Sequence, residues 1–173
     1  MWLTVTAGTA RTAFALNRVT LAAFNACQAA ITAGGGGVAR PPHRASALGP
    51  SEVALRPGAC GACLVDAVIN GSRGATLEVD SGASFVVLPR SVADGLVGPA
   101  DFPGWGTFRM ADGNAHRQPK YRLHTLTVGN ITLTDVLCTV GGHEGSTLLG
   151  QSFLNRLKSW SIDPQRGVMK LQG

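Results

Sequence analysis

Glu78-Val79-Asp80-Ser81-Gly82-Ala83-Ser84-Phe85 drives a hydrophobic run into an acid, two small polar residues, a glycine and an alanine. Upstream, Ala75-Thr76-Leu77-Glu78-Val79 alternates as a strand should. Downstream, Ser84–Leu88 is a second apolar β run, stopped by Pro89. Gly82 permits backbone geometry that a larger residue resists, and the Ser81 hydroxyl can hold the loop by hydrogen bonds. Asp80 is therefore expected to project from a rigid base with little side-chain bulk to shield it. Taken alone, such a stretch also reads as a plain turn. What the rest of the chain supplies decides between the two.

Working outward, the neighbouring segments read as short strands joined by tight turns. Leu64–Ile69 is a strand, Asn70-Gly71 opens a turn, and Ala75–Val79 returns as the second arm of a hairpin. Ser91–Leu96 reads as one short helical turn with Ser91 as its cap. Thr107–Met110 and Lys120–Leu123 flank Asp112-Gly113-Asn114, a strong hairpin signal. Leu126–Val128 and Ile131–Leu133 flank Gly129-Asn130, and Val136–Val140 continues the strand. Ser152–Lys158 is a short helix candidate, and Val168–Leu171 closes the chain after Gln165-Arg166-Gly167. Many short strands, tight turns and little helix predict an all-β fold, a small closed β barrel with one short C-terminal helix.

Composition agrees with that class. The 173 residues suffice for one domain and an extension, and 23 glycines and 9 prolines beside 14% charged residues favour turns and short elements. The net charge of +5 is unevenly placed. Residues 1–63 hold five arginines against the single acid Glu52, whereas residues 64–173 are nearly balanced. No stripe of Lys and Arg interleaved with aromatics appears, which argues against a nucleic-acid partner. Residues 1–33 read as a leader of signal or weak-anchor character. Arg11 and Arg18 precede the apolar Leu21-Ala22-Ala23-Phe24, and small residues follow. This segment is too polar for a good membrane span. It admits membrane association or a bacterial periplasmic location, with the cytoplasm as the alternative. Residues 34–60 read as a Gly/Pro-rich linker, and residues 61–173 as the folded domain.

Two other chemistries are weighed. Cys60-Gly61-Ala62-Cys63 is a CxxC pair, but a zinc site wants a second close pair or histidines at short spacing. Cys27 and Cys138 are isolated, and His43, His116, His124 and His143 are scattered, so no metal and no cofactor is expected. Gly34–Gly37 lacks the Lys-Ser/Thr ending and following helix of a phosphate loop.

One carboxylate is a modest catalyst, but two facing each other share a proton, because like charges about 3 Å apart cannot both ionise. The ionised member can take a proton from water while the protonated one polarises a carbonyl. Val79-Asp80-Ser81-Gly82-Ala83-Ser84 resembles the active-site motif of the retropepsin-like aspartic proteases, a hydrophobic residue followed by Asp-Thr/Ser-Gly-Ala. Leu148-Leu149-Gly150, followed by Gln151-Ser152-Phe153-Leu154, is similar to the family's second element, two hydrophobic residues and a glycine before a short helix. The segment Met110-Ala111-Asp112-Gly113-Asn114 falls where the family carries its flap. The likeness is greatest to bacterial single-domain members and covers about Leu64–Leu171. Two departures stand out: Ser81 where threonine is commoner, and Gln151 where viral members often place an arginine, which removes salt-bridge support of the helix.

The resemblance implies an aspartic endopeptidase acting on extended peptide or protein substrates. The chain has a single Asp-Ser-Gly motif, so it carries half a site, and the family's answer is a two-fold homodimer with Asp80 from each subunit at the axis. Ser81 would hold the two loops together, Gly82 would shape the turn, and Ala83 would sit near the substrate backbone. The flap, about Phe108–Tyr121, would close over the peptide. The alternative is a non-catalytic dimeric β-barrel module that binds peptide in the same groove.

Overall fold

Hairpin chemistry read from the sequence recurs in the computed structural model, which describes residues 4–6, 52–109, 115–143 and 145–173. Strand β4 (Cys63–Ile69) turns through Asn70 and Gly71, both with positive φ (49° and 69°), into β5 (Arg73–Val79). Asn70 also bridges elements. Its side chain donates to the Leu96 carbonyl at 2.8 Å and accepts from the Thr125 amide at 3.2 Å. β6 (Val86–Leu88) runs into the one-turn helix α1 (Arg90–Ala93). β7 (Gly104–Arg109) pairs in antiparallel register with the start of β8 (Ala115–Val128). β8 turns at Gly129-Asn130 into β9 (Ile131–Val140). The two-residue strand β10 (Leu148–Leu149), helix α2 (Gln151–Leu154), β11 (Ser159–Asp163) and β12 (Val168–Gln172) follow. Before them in sequence lie β1 (Thr4–Thr6), β2 (Glu52–Ala54) and β3 (Arg56–Pro57).

These strands make two sheets. One has the order β1-β11-β12-β2, and the other β3-β4-β5-β10-β6-β9-β8-β7. The fold is all-β, as expected, but the closed barrel needs correction. The large sheet curls until β4 meets β8, yet they pair over only Ala67–Ile69 and Leu126–Val128. Farther along, β8 leaves to pair with β7, so closure does not extend along the strands. The sheet is joined at one corner and open elsewhere.

Period-two burial places the core. Val65, Ala67 and Ile69 of β4 are buried while Asp66 and Val68 face out, and Leu77 of β5 is wholly buried. Phe153 and Leu154 of α2 seal the same core, with Trp160 from β11 and Met169 and Leu171 from β12. Such large side chains each contribute about 1.5–3 kcal/mol by leaving water.

Three further expectations change. Ser91 does not cap α1, because Pro89 takes the N-cap position and no side chain caps the helix. The C-terminal helix is one turn at Gln151–Leu154, shorter than the 152–158 candidate. Residues 52–57, placed in the linker by composition, form β2 against β12 and β3 against β4. Glu52 anchors that segment through Arg166, whose guanidinium reaches both carboxylate oxygens at 2.7 and 2.9 Å. Apart from Thr4–Thr6, the leader lies outside the described residues, as does the linker up to residue 51. Among the described residues, no helix is long and apolar enough to cross a membrane.

Candidate active site

Asp80 is the first residue past β5, and the strand that holds it there comes from 70 residues away. β10 inserts between β5 and β6, parallel to β5 with Leu148 beside Glu78 and Leu149 beside Val79. The Glu78 amide donates to the Thr147 carbonyl at 2.8 Å, and the Asp80 amide donates to the Leu149 carbonyl at 3.1 Å. The end of β5 is thus fixed up to and including Asp80.

The loop from Asp80 to Phe85 is then clamped by the start of α2. A Cβ at Gly150 would stand 2.1 Å from the Phe85 carbonyl oxygen and 2.7 Å from that of Ala83, so no larger residue fits without moving the loop backbone. The Gln151 amide donates to the Ala83 carbonyl at 2.8 Å, and its carboxamide nitrogen donates to the Ser81 carbonyl at 2.7 Å. The Ser152 hydroxyl accepts from the Val86 amide at 2.9 Å and donates to the Leu137 carbonyl at 2.6 Å. One short helix therefore ties both arms of the loop and β9. The sequence signalled Leu148, Leu149 and Gly150 as a structural element, and they do surround the loop. The roles of Gln151 and Ser152 have no local signal, because their partners lie far off in the chain. Where a salt bridge was expected to be lost, Gln151 supplies a neutral hydrogen bond to the loop.

Within the loop, the Gly82 amide donates to Asp80 Oδ1 at 2.7 Å. An amide aimed at a carboxylate oxygen fixes the direction of that side chain. A Cβ on Gly82 would lie 3.1 Å from that oxygen, tight enough to disturb it. Asp80 is half-buried, Ser81 and Gly82 are exposed, and Ala83 is half-buried. A cavity of about 240 Å³ lies on the α2 side of the loop, lined by Phe85, Leu137, Gln151 and Ser152 among others, and Asp80 is not part of its wall.

The hairpin β7–β8 leads towards Met110, Ala111, Asp112, Gly113 and Asn114, which lie outside the described residues. Its stem touches the loop through Phe108, which packs edge-on against Phe85 with ring centroids 5.4 Å apart. Trp105 on the same strand is 52% exposed, beside Phe102 and under the Arg117 guanidinium at 5.1 Å.

Among the described residues, Cys63 and Cys138 offer no competing centre. Cys63 opens β4 as a free thiol, raised above its ordinary pKa by burial and then by the charge of Glu78. Burial pushes the free Cys138 thiol up to about 12. Thiols so shifted stay protonated and unreactive at neutral pH. Among the described residues, no group of His, Cys, Asp and Glu gathers as a metal site would require.

A protein-family profile described as "gag-polyprotein putative aspartyl protease" matches residues 65–156, from β4 through α2. Among solved structures, the chain is similar in fold to a retropepsin-like aspartic protease from Rickettsia conorii, with a TM-score of 0.52 and 22% identity. That match covers 69% of this chain and 89% of the other. No curated protein matches the chain by sequence.

Proposed function

Because the chain belongs to the retropepsin-like aspartic protease family, we propose that it is a peptide-bond hydrolase in which Asp80 is the catalytic acid and two copies form one site. The observation that carries this reading is the seating of Asp80. Its carboxylate is oriented by the Gly82 amide, on a loop clamped by Gly150, Gln151 and Ser152, yet it stays half-buried and outside the wall of the neighbouring cavity. A second copy related by a two-fold axis supplies the missing carboxylate, since an isologous contact brings the same residue from each side.

The chemistry follows from the pair. Two carboxyls at the axis share one proton. The ionised member removes a proton from water as the water oxygen attacks the peptide carbonyl carbon. The protonated member donates to the carbonyl oxygen, giving a neutral tetrahedral diol. A proton then passes to the leaving nitrogen, the C–N bond breaks, and an acid and an amine result. Ser81 links the two loops across the axis, Ala83 borders the substrate backbone, and the hairpin around residues 110–114 closes over an extended peptide.

The test is cleavage of a mixed peptide library from pH 4 to 7 by the full chain and by Asp80→Asn. Cleavage by the wild type alone, rising faster than linearly with protein at low concentration, is the expected result. Two folded, dimeric proteins without cleavage would point instead to a peptide-binding module.

A further inference from the structure

Two carboxylates on the outer face of the large sheet are treated differently. Asp66 of β4 stands opposite Thr76 of β5 and is neutralised by Arg56, with the Thr76 hydroxyl donating to it at 2.8 Å. One register step along the same face, Glu78 stands opposite Leu64 of β4 and beside Leu148 of β10. Two aliphatic side chains therefore flank its carboxylate, which is half-buried. Among the described residues, no lysine, arginine or histidine pairs with it, and the Arg56 guanidinium on that face is engaged by Asp66 and Thr76.

Alternation along β5 sets what Glu78 faces. Leu77 is wholly buried in the core, so Glu78 and Asp80 project from the opposite face, about 7 Å apart along the strand. The other titratable group near it is the Cys63 thiol, raised in part by the Glu78 charge. Burial first, and then the Asp80 charge, hold the Glu78 carboxyl above its usual range. A partly desolvated carboxylate without a counter-ion is unfavourable, and a cation that docks there recovers the loss.

Resting on the proposed aspartic endopeptidase, we infer that Glu78 lines the substrate groove beside Asp80 and selects peptides bearing a lysine or arginine within two residues of the scissile bond. The extended substrate advances about 3.3 Å per residue, so a side chain one or two positions from the bond at Asp80 reaches Glu78. In a two-fold dimer, each side of the bond meets one such carboxylate. The free site leaves Glu78 without a countercharge, and the substrate side chain provides it.

The experiment compares kcat/KM for matched peptides that differ only in lysine against norleucine at each position near the cleaved bond, using the full chain. The wild type is expected to favour lysine about tenfold or more at one of these positions, the size of a charge-assisted contact. Glu78→Gln should bring that ratio close to one, and Glu78→Lys should turn it towards glutamate peptides. A wild type indifferent to the charge, or a ratio unchanged in Glu78→Gln, overturns the inference while leaving the protease reading intact. So does a Glu78→Gln protein that dimerises more weakly but, at concentrations where dimers form, keeps its preference, which would assign the carboxylate to the subunit contact. Absence of any Asp80-dependent cleavage defeats the protease reading instead. Binding of the same labelled peptides to Asp80→Asn and to Asp80→Asn/Glu78→Gln, followed by fluorescence anisotropy, then decides Glu78 separately. Tighter lysine-peptide binding that needs Glu78 supports it, and equal binding overturns it.

Discussion

The loop carrying Asp80 and the hairpin β7–β8 lie against each other but are built on different principles. The loop has no regular structure, yet its backbone is tied at Asp80, Ser81 and Ala83 to β10 and α2, and just beyond it at Val86. The hairpin is regular from Gly104–Arg109 to its partner strand, yet β7 is the edge of the sheet and exposes Trp105. Among the described residues, it touches the loop through the aromatic pair Phe85–Phe108. Irregular backbone is thus held here by hydrogen bonds to distant elements, while the regular hairpin stands at the edge of the sheet. Such a division suits a site in which fixed acids act beneath a closing cover.

The comparison breaks most readily at Gly150. Gly150→Ala places a methyl 2.1 Å from a carbonyl oxygen and should cost about 3 kcal/mol or more. Denaturant unfolding is expected to show that loss together with loss of peptide cleavage. A stable, active Gly150→Ala protein would mean that the loop is not clamped. Leu149→Ala, deleting a wholly buried side chain next to the loop, should cost about 2–5 kcal/mol by the same measurement.

Ser152→Ala is smaller and more discriminating. It leaves the Val86 amide and the Leu137 carbonyl without their side-chain partner, for about 1–3 kcal/mol. On the hairpin side, Phe108→Ala should cost no more than about 1.5 kcal/mol through the ring pair. It should nonetheless raise KM for extended peptides, because the cover loses its hold on the loop. Equal effects of Ser152→Ala and Phe108→Ala on both stability and KM would erase the distinction between base and cover.

The smallest effect concerns pH. A carboxyl whose value is raised in the folded state binds its proton more tightly there than in the unfolded chain. Glu78 therefore costs no stability below the ordinary carboxylate range and an increasing amount as pH rises through its raised value. Glu78→Gln should match the wild-type melting temperature at pH 3 and exceed it at pH 7, by at most about 3 °C for a half-exposed group in a domain of this size. A difference of opposite sign would mean that Glu78 has found a cation.

What could be read from the sequence follows the range of the interactions. Asn70-Gly71 and Gly129-Asn130 announced their hairpins because turn geometry is decided by the turn residues themselves. Asp80 stood out through its neighbours, and Leu148-Leu149-Gly150 through resemblance to a family. Strands β2 and β3 were hidden in an Arg- and Pro-rich stretch, since their pairing with β12 and β4 is non-local. The same holds for Gln151, whose bond to the Ser81 carbonyl spans 70 residues. Glu78 looked like an ordinary polar position of an alternating strand. Only the insertion of β10 shows that it is flanked by leucines on both sides.

The central claim is that Asp80 acts as one half of a pair. Its most direct test mixes a fixed amount of wild-type chain with increasing Asp80→Asn, at concentrations where dimers form and exchange, and follows peptide cleavage. Random pairing with an equal amount of the variant should lower activity to about half, and a large excess should nearly abolish it. Activity that stays constant as the variant is added would contradict the account, because each chain would then carry a complete site.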